Sequence, residues 1–432
     1  MLCPPLQFKS PRASAETIVP MSSEPTPQPA APEIFIARQP IFDRKAEVYG
    51  YELLFRGNRE NRFNAVDVDL AAAVTLEQSA NAFGLDMLVG ERMAWVNLTR
   101  DALVHDYYKI LPPSRTVIEL LESVVPDTEV IEACRRLKAS GYLLALDDYT
   151  FAPGMAPLLE VADLVKVDFM QSKLACDRNA LAVLRGSGAR LLAEKVETLE
   201  EHRNALAAGY DFFQGYYYCR PEMIETRDLA PSKLAQLRFL AEVTRPDTTF
   251  ERLEELFRQD VTLTTRLLRY LNSAAFGWRH EIPSLRHALA LLGLDPLRQW
   301  ATMMGFVALG ADRPRELVIT GLSRARFAEE LARPAGLPDQ GSNLFLTGML
   351  SVVDAMVGRP LREILDGLAV PAAVRSALTG DEHPVGEVYH AVRAYERGDW
   401  GSEEIERAHL PLAVMNEAYR RSVTWAEASA AV

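Results

Sequence analysis

The chain has few cysteines, no long apolar run and no run of basic residues, and each absence removes a class of protein. Its four cysteines, Cys3, Cys134, Cys176 and Cys219, lie far apart, with no CxxC and no Cys/His ligand spacing. That excludes a disulfide framework and a zinc site of ordinary spacing, and a reducing, cytoplasmic compartment with free thiols is expected. No stretch approaches the roughly 18 consecutive apolar residues that span a bilayer, so no membrane partner is expected. The net charge is −12 and no cluster of Lys and Arg offsets it, which argues against a general nucleic-acid surface. An anionic ligand would therefore need local cations or metal ions. There is no glycine-rich phosphate loop. The first 32 residues hold eight prolines but lack the basic start and compact apolar core of a signal peptide. Residues 1–32 are expected to be a disordered tail.

What is present is globular. The 432 residues are 48% hydrophobic and 25% charged, enough for two or three domains with large cores. From 33 to 226 short β-rich runs alternate with helical windows. The runs are "IFIARQPIFD", "EVYGYELLFR", "RMAWVNL", "RTVIELLE", "YLLALDDY", "DLVKVDF", "RLLAEKVE" and "DFFQGYYYCR". The windows include 66–83, 126–139, 177–186 and 198–208. In "PDTEVIEACRRLKASG" the residues Val130, Ile131, Cys134 and Leu137 recur at helical spacing, and Gly141 follows as a stop. Repeated βα alternation implies a parallel sheet, doubly wound or closed into a barrel. After the joint near "RPEMIETRDLAPSK" the strands disappear. Residues 227–432 read as an all-helical domain in which Thr248 and Glu251 are spaced as a capping box.

The polar residues of the first domain fall at strand ends. Glu52 follows "VYGY", Asn97 follows "MAWV" and Glu119 follows "TVI", while Asp147 and Asp148 follow "LLAL". Lys166, Glu194 and Gln214 close the runs "DLV", "RLLA" and "DFF" in the same way. In a βα barrel the C-terminal strand ends converge on one face, where active sites are built. Adjacent carboxylates such as Asp147 and Asp148 repel unless a cation or proton lies between them. A gathering of oxygen ligands suits Mg²⁺ or Mn²⁺ rather than Zn²⁺.

The ordered series "YELLFR", "VNL", "IELLES", "LDDY", "VKVD", "AEKVET" and "QGYYY" resembles the EAL-type domain of cyclic-di-GMP phosphodiesterases. The resemblance implies a modified (β/α)8 barrel that binds this dinucleotide between two metal ions. It implies metal ligation by Glu52, Asn97, Glu119 and Asp147 at one ion, with Asp147 and Asp148 reaching the second. It makes Lys166 the residue that orients the attacking water, Glu194 a base or ligand, and Gln214 a support for water and substrate. Arg56 would contact a phosphate, and Glu197 would anchor the loop after Asp148 on the substrate side. A homodimer formed through that loop is also implied.

Three positions depart from the family pattern. The naming triplet reads Glu52-Leu53-Leu54. The expected Phe-Gly-Thr-Gly turn after the paired acids reads "YTFAPGM". Lys195 stands where the family has glycine. In the helical half, "TLTTRLLRYLNSAAFGWRHEIPSLRHALALLGLDPLRQW" resembles the HDOD domain, a relative of metal-dependent HD phosphohydrolases. The only His-Asp dipeptide is His105-Asp106, outside that half, and no GYP triplet occurs. His280, His287, His383, His390 and His409 are scattered without ligand spacing. The helical domain is thus expected to be a non-catalytic module that docks protein partners. Together these readings imply a bacterial cyclic-di-GMP signalling protein that binds the messenger and turns it over slowly. The alternative is a catalytically inactive adaptor acting by protein–protein contacts, and a βα-barrel metabolic enzyme is a more distant third.

Overall fold

The computed structural model of the protein describes residues 35–56, 84–152, 154–169, 177–219, 231–245, 247–259, 261–271, 286–287 and 293–430. The expected tail 1–32, the helical window 66–83 and most of "YLNSAAFGWRHEIPSLRHALALL" lie outside the described residues. Eight strands close into a barrel in sequence order: β1 (Phe35–Asp43), β2 (Val48–Arg56), β3 (Met93–Leu98), β4 (Thr116–Leu120), β5 (Leu143–Leu146), β6 (Leu164–Asp168), β7 (Arg190–Glu194) and β8 (Phe212–Gln214).

Strands β2 to β8 run parallel, as the βα alternation predicts. Strand β1 is the exception, antiparallel to both of its neighbours. The reason is local. Only Arg44–Glu47 separates β1 from β2, far too short for a crossover helix, so the pair must form a hairpin. Asp43 closes it, its Oδ1 accepting the backbone N–H groups of Lys45 and Glu47, while Ala46 takes the left-handed conformation at φ 59°. The barrel is therefore mixed.

Helices lie outside the strands where their apolar stripes predict. Thr128–Ala139 buries Val130, Ile131, Cys134 and Leu137, with Asp127 as its N-cap and Gly141 in the left-handed region at φ 90°. Leu199–Ala208 begins with a full capping box, Thr198 and Glu201 satisfying each other's backbone N–H groups. The expected Thr248/Glu251 box is displaced by one residue. The Arg252 N–H donates to Thr249 Oγ1, and the Thr248 hydroxyl donates to the Glu242 carbonyl. All elements described after Pro231 are helical.

Contacts join the helical region to the barrel, and Glu33–Val432 forms one compact unit. The join centres on β1, which meets β8 only from Ile41 to Asp43. Its earlier edge is satisfied by helical side chains instead. The Ile36 N–H donates to Asn416 Oδ1 and the Arg38 N–H to the Tyr419 hydroxyl, while the Tyr395 hydroxyl donates to the Ile36 carbonyl. Charge reinforces this seam, with Arg38 Nη2 2.9 Å from Glu427 Oε1 and Tyr51 donating to Glu316 Oε2 at 2.8 Å.

Candidate functional site

The inside of the barrel is built in layers, and the period of two along each strand decides what each layer contains. The lower layer is apolar: Ile41, Trp95, Val117, Ala145, Leu164, Leu192 and Phe212 form one cluster. Two residues further toward the mouth come Asn97, Glu119, Asp147, Lys166, Glu194 and Gln214. Glu52 joins them from β2, two residues beyond Gly50. There an added Cβ would collide with Met93 and the Trp95 indole, so only glycine lets the tryptophan fill the layer beneath. Strand β1 runs the other way, so its member is Gln39, two residues before Ile41 and paired in register with Glu52. Every strand thus contributes one polar side chain to a ring resting on an apolar floor.

Lys166 is the hub. Its Nζ lies 2.6 Å from Glu194 Oε1, 3.0 Å from Asp147 Oδ1, 3.2 Å from Glu119 Oε2 and 3.4 Å from Glu52 Oε2. Burial alone would lower its pKa, but the carboxylates around it, Glu119 first, hold it well above the ordinary lysine value. The acids respond unequally. Burial and the Glu52 charge push Glu119 well above the usual carboxylate range. Burial would also raise Glu52, but Lys166 and hydrogen bonds from Gln214 Nε2 (2.7 Å) and Asn97 Nδ2 (2.9 Å) hold it below its usual value. Burial raises Asp147, against the pull of Lys166. Glu194 is pushed up to about 7 by burial, opposed by Lys166 and assisted by Asp147 and Glu52.

Several oxygen donors of the ring and its rim lack a partner. Asn97 Oδ1, Glu119 Oε1, Asp148 Oδ1 and Gln214 Oε1 are buried atoms with no hydrogen-bond partner among the described residues. Unpartnered buried oxygens are costly, and a cation is one way to satisfy them. Among the described residues no three or more His, Cys, Asp or Glu side chains form a metal-holding group, and the ring carboxylates turn to Lys166 instead.

The ring brings together Glu52, Asn97, Glu119, Asp147, Lys166, Glu194 and Gln214. Asp148 lies beside it at the end of β5, at φ 40°. Arg56 ends β2 opposite Phe35, and its side chain lies outside the described residues. Glu197 is exposed in the turn after β7, its backbone N–H donating to Glu201 Oε2. Sequence reasoning missed two participants. Gln39 accepts from Gln214 Nε2 at 3.1 Å. Asp168 closes β6 and lies 2.6 Å from Lys195 Nζ. Asp168 was findable, since it stands two residues after Lys166 on the same face of the strand. Gln39 was hidden by the reversed direction of β1.

Comparison with known proteins places two families on the chain. The EAL domain matches residues 90–221 and the HDOD domain residues 230–358. The EAL match begins downstream of Glu52, which the barrel nonetheless seats in the ring. A Vibrio cholerae protein, cyclic di-GMP phosphodiesterase CdgJ, is 32% identical over 373 residues, 86% of each chain. The Bacillus subtilis protein YuxH is 31% identical over 400 residues, 91% of this chain and 98% of that one. Among solved structures, the manganese and cyclic-di-GMP complex of Klebsiella pneumoniae BlrP1 is 26% identical with a TM-score of 0.36. That match covers 45% of this chain and 57% of the other. Among the described residues no helix is long and apolar enough to cross a membrane.

Proposed function

The chain belongs to the family that joins an EAL domain to an HDOD domain, relatives of the cyclic-di-GMP phosphodiesterases; from that premise we propose that it binds cyclic-di-GMP at the ring in the barrel mouth and hydrolyses it slowly with Mg²⁺ or Mn²⁺. The observation that carries this reading is the ring itself: eight polar side chains, one from each strand, over an apolar floor, with buried oxygens left unpartnered. Residues 33–226 would act as the barrel and 227–432 as a helical module for protein partners in the cytoplasm, with 1–32 as a tail outside both.

In this reading Glu52, Asn97, Glu119 and Asp147 hold a divalent cation, which when bound lowers the pKa of water and offsets the phosphodiester charge. Asp147 and Asp148 would reach a second. Glu194, raised to about 7, is poised near neutral pH to take a proton from the attacking water. The Lys166 ammonium, 2.6 Å from Glu194 Oε1, orients that water beside the base. Gln214, tethered through Nε2 to Glu52, keeps Oε1 directed at water or substrate. Arg56 at the end of β2 would meet a phosphate, and Glu197 would steady the rim.

One observation favours the second reading, an adaptor that does not hydrolyse. The loop after Asp148 reads Tyr149-Thr150-Phe151-Ala152-Pro153-Gly154, without the first glycine of the family's turn. The test is to incubate the full chain with cyclic-di-GMP and Mn²⁺, then Mg²⁺, and follow the linear dinucleotide by chromatography beside a binding titration. Product that falls at least ~100-fold in Glu52→Ala supports the enzyme. Binding without product makes the barrel a receptor. Neither, from folded protein, overturns the proposal in favour of the adaptor.

A further inference from the structure

The helix Pro231–Val243, the first described in the helical half, is apolar on two opposite faces. One face buries Leu240 and Val243. It lies so close to the helix Leu294–Leu309 that an added Cβ at Gly305 would strike Phe239 and Leu240. The other face carries Leu234, Leu237 and Ala241 at i, i+3 and i+7. This second stripe is one wall of an open groove of about 230 Å³, and Ile364 and Leu368, from the helix Leu361–Gly367 and its end, stand in the other. Leu234 is left 38% exposed, and an added Cβ at Gly367, also in the lining, would meet nothing. The groove is therefore space rather than packed core. A helix apolar on both faces is one that needs cover on both, and an exposed apolar groove is a place for that cover.

Charge decides what the groove takes. Arg238, one turn on from Leu234, and Arg359, just before the helix Leu361–Gly367, both line it and both are exposed. Neither guanidinium has a hydrogen bond or ion pair among the described residues. Glu363 is the one acid in the lining, and it pairs with neither. Other exposed arginines of the helical half are engaged, Arg252, Arg258, Arg375 and Arg421 each holding a carboxylate. The groove is thus net positive on a chain of net charge −12. We propose that it docks an amphipathic helix of a protein partner. The partner's apolar residues enter between Leu234, Leu237, Ile364 and Leu368, and its flanking Glu or Asp side chains pair with Arg238 and Arg359. The groove's described walls are helical, with no strand edge to extend, so the helix-in-groove mode applies. This rests on the reading of residues 227–432 as a module for protein partners and names its surface; it does not depend on the chemistry of the ring.

The test uses the full chain and a fluorescein-labelled peptide, hydrocarbon-stapled so that it is helical when free, with Leu at i, i+4 and i+7 and Glu on its flanks. Fluorescence anisotropy should show saturable binding. The same peptide with every Glu replaced by Lys should bind at least ~10-fold more weakly. Arg238→Glu combined with Arg359→Glu should reverse that preference, and Leu234→Asp should abolish binding of both peptides. All three positions are exposed, so thermal scans of the variants should match the native protein. Equal binding of the two peptides, or a preference that the arginine reversal leaves in place, would overturn the groove as the site while leaving a docking module at another surface. Binding of neither peptide by folded protein overturns this inference and the docking module with it. Sedimentation velocity tests the other occupant. A native dimer that Leu234→Asp converts to a monomer would mean that the groove takes a second copy of this chain rather than an acidic helix.

Discussion

Lys166 holds four carboxylates within 3.4 Å at 1% exposure, so its charge is structural as well as chemical. Removing one partner of a buried ion cluster leaves the others uncompensated, at a cost on the order of 3–5 kcal/mol. Lys166→Met keeps most of the volume and removes the cation. It should lower the melting temperature in chelator, yet Mn²⁺ should raise that temperature more in the variant than in the native protein. On the proposed metal reading, Mn²⁺ would no longer compete with an ammonium for Glu119 and Asp147. Paired thermal scans with and without Mn²⁺ check this, and an equal or smaller metal shift in Lys166→Met would refute the competition. At this scale the site was largely legible in the sequence. Each ring acid interrupts an apolar run, and only a side chain pointing into a closed barrel makes such a position useful. The left-handed φ of 56° at Lys195 was hinted at only by the glycine that the resemblance places there, because lysine itself carries no such signal.

The strand ends depend on one another, and Gly215 shows how. It follows Gln214 at φ 140°, where an added Cβ would overlap the backbone of Val196. The two turns are already stitched together, the Val196 N–H donating to the Gln214 carbonyl and the Tyr217 N–H to the Val196 carbonyl. Gly215→Ala must therefore push the ends of β7 and β8 apart, displacing both Glu194 and Gln214. The expected loss is about 2 kcal/mol of stability from overpacking, with a weaker Mn²⁺ affinity. Gly186→Ala, at the end of the helix Arg178–Gly186 with nothing near its added Cβ, should be neutral or slightly stabilising. Urea titrations of both variants separate the local cost at Gly215, from overlap and from its φ of 140°, from a general cost of replacing glycine. Element types were readable from periodicity, but two details came from tertiary context. The direction of β1 follows from its short turn to β2. The cap of Phe250–Gln259 moved to Thr249 because Thr248 was drawn to the Glu242 carbonyl.

The molecule as a whole is tied together where β1 leaves the barrel, and nothing in the sequence marks that seam. Arg38, Tyr51, Glu316 and Glu427 are each unremarkable in their own segments, and the Arg38–Glu427 and Tyr51–Glu316 pairs form only across more than 250 residues of chain. The Arg38 guanidinium lies over the Tyr51 ring at 4.0 Å and pairs with Glu427. Glu316 is left with the Tyr51 hydroxyl, and burial pushes its carboxyl up to about 7, against the pull of Arg38 and Tyr51. Between about 4.5 and 7 the folded protein therefore binds more protons at Glu316 than the unfolded chain does. Stability at this seam must fall as pH rises through that window and level off above it. At roughly 1.4 kcal/mol per unit the loss is on the order of 3 kcal/mol. Glu194 is also raised to about 7, and Glu119 and Asp147 are raised as well, so the native pH profile sums several groups. Glu316→Gln isolates the seam, because its carbonyl can still accept from Tyr51 while carrying no charge at any pH. Denaturant unfolding should give near-equal stabilities for Glu316→Gln and the native protein at pH 5. By pH 8 the variant should be the more stable by about 2–3 kcal/mol. Parallel profiles would mean that Arg38 neutralises an ionised Glu316 and that the barrel and helical half are joined by a conventional ion cluster.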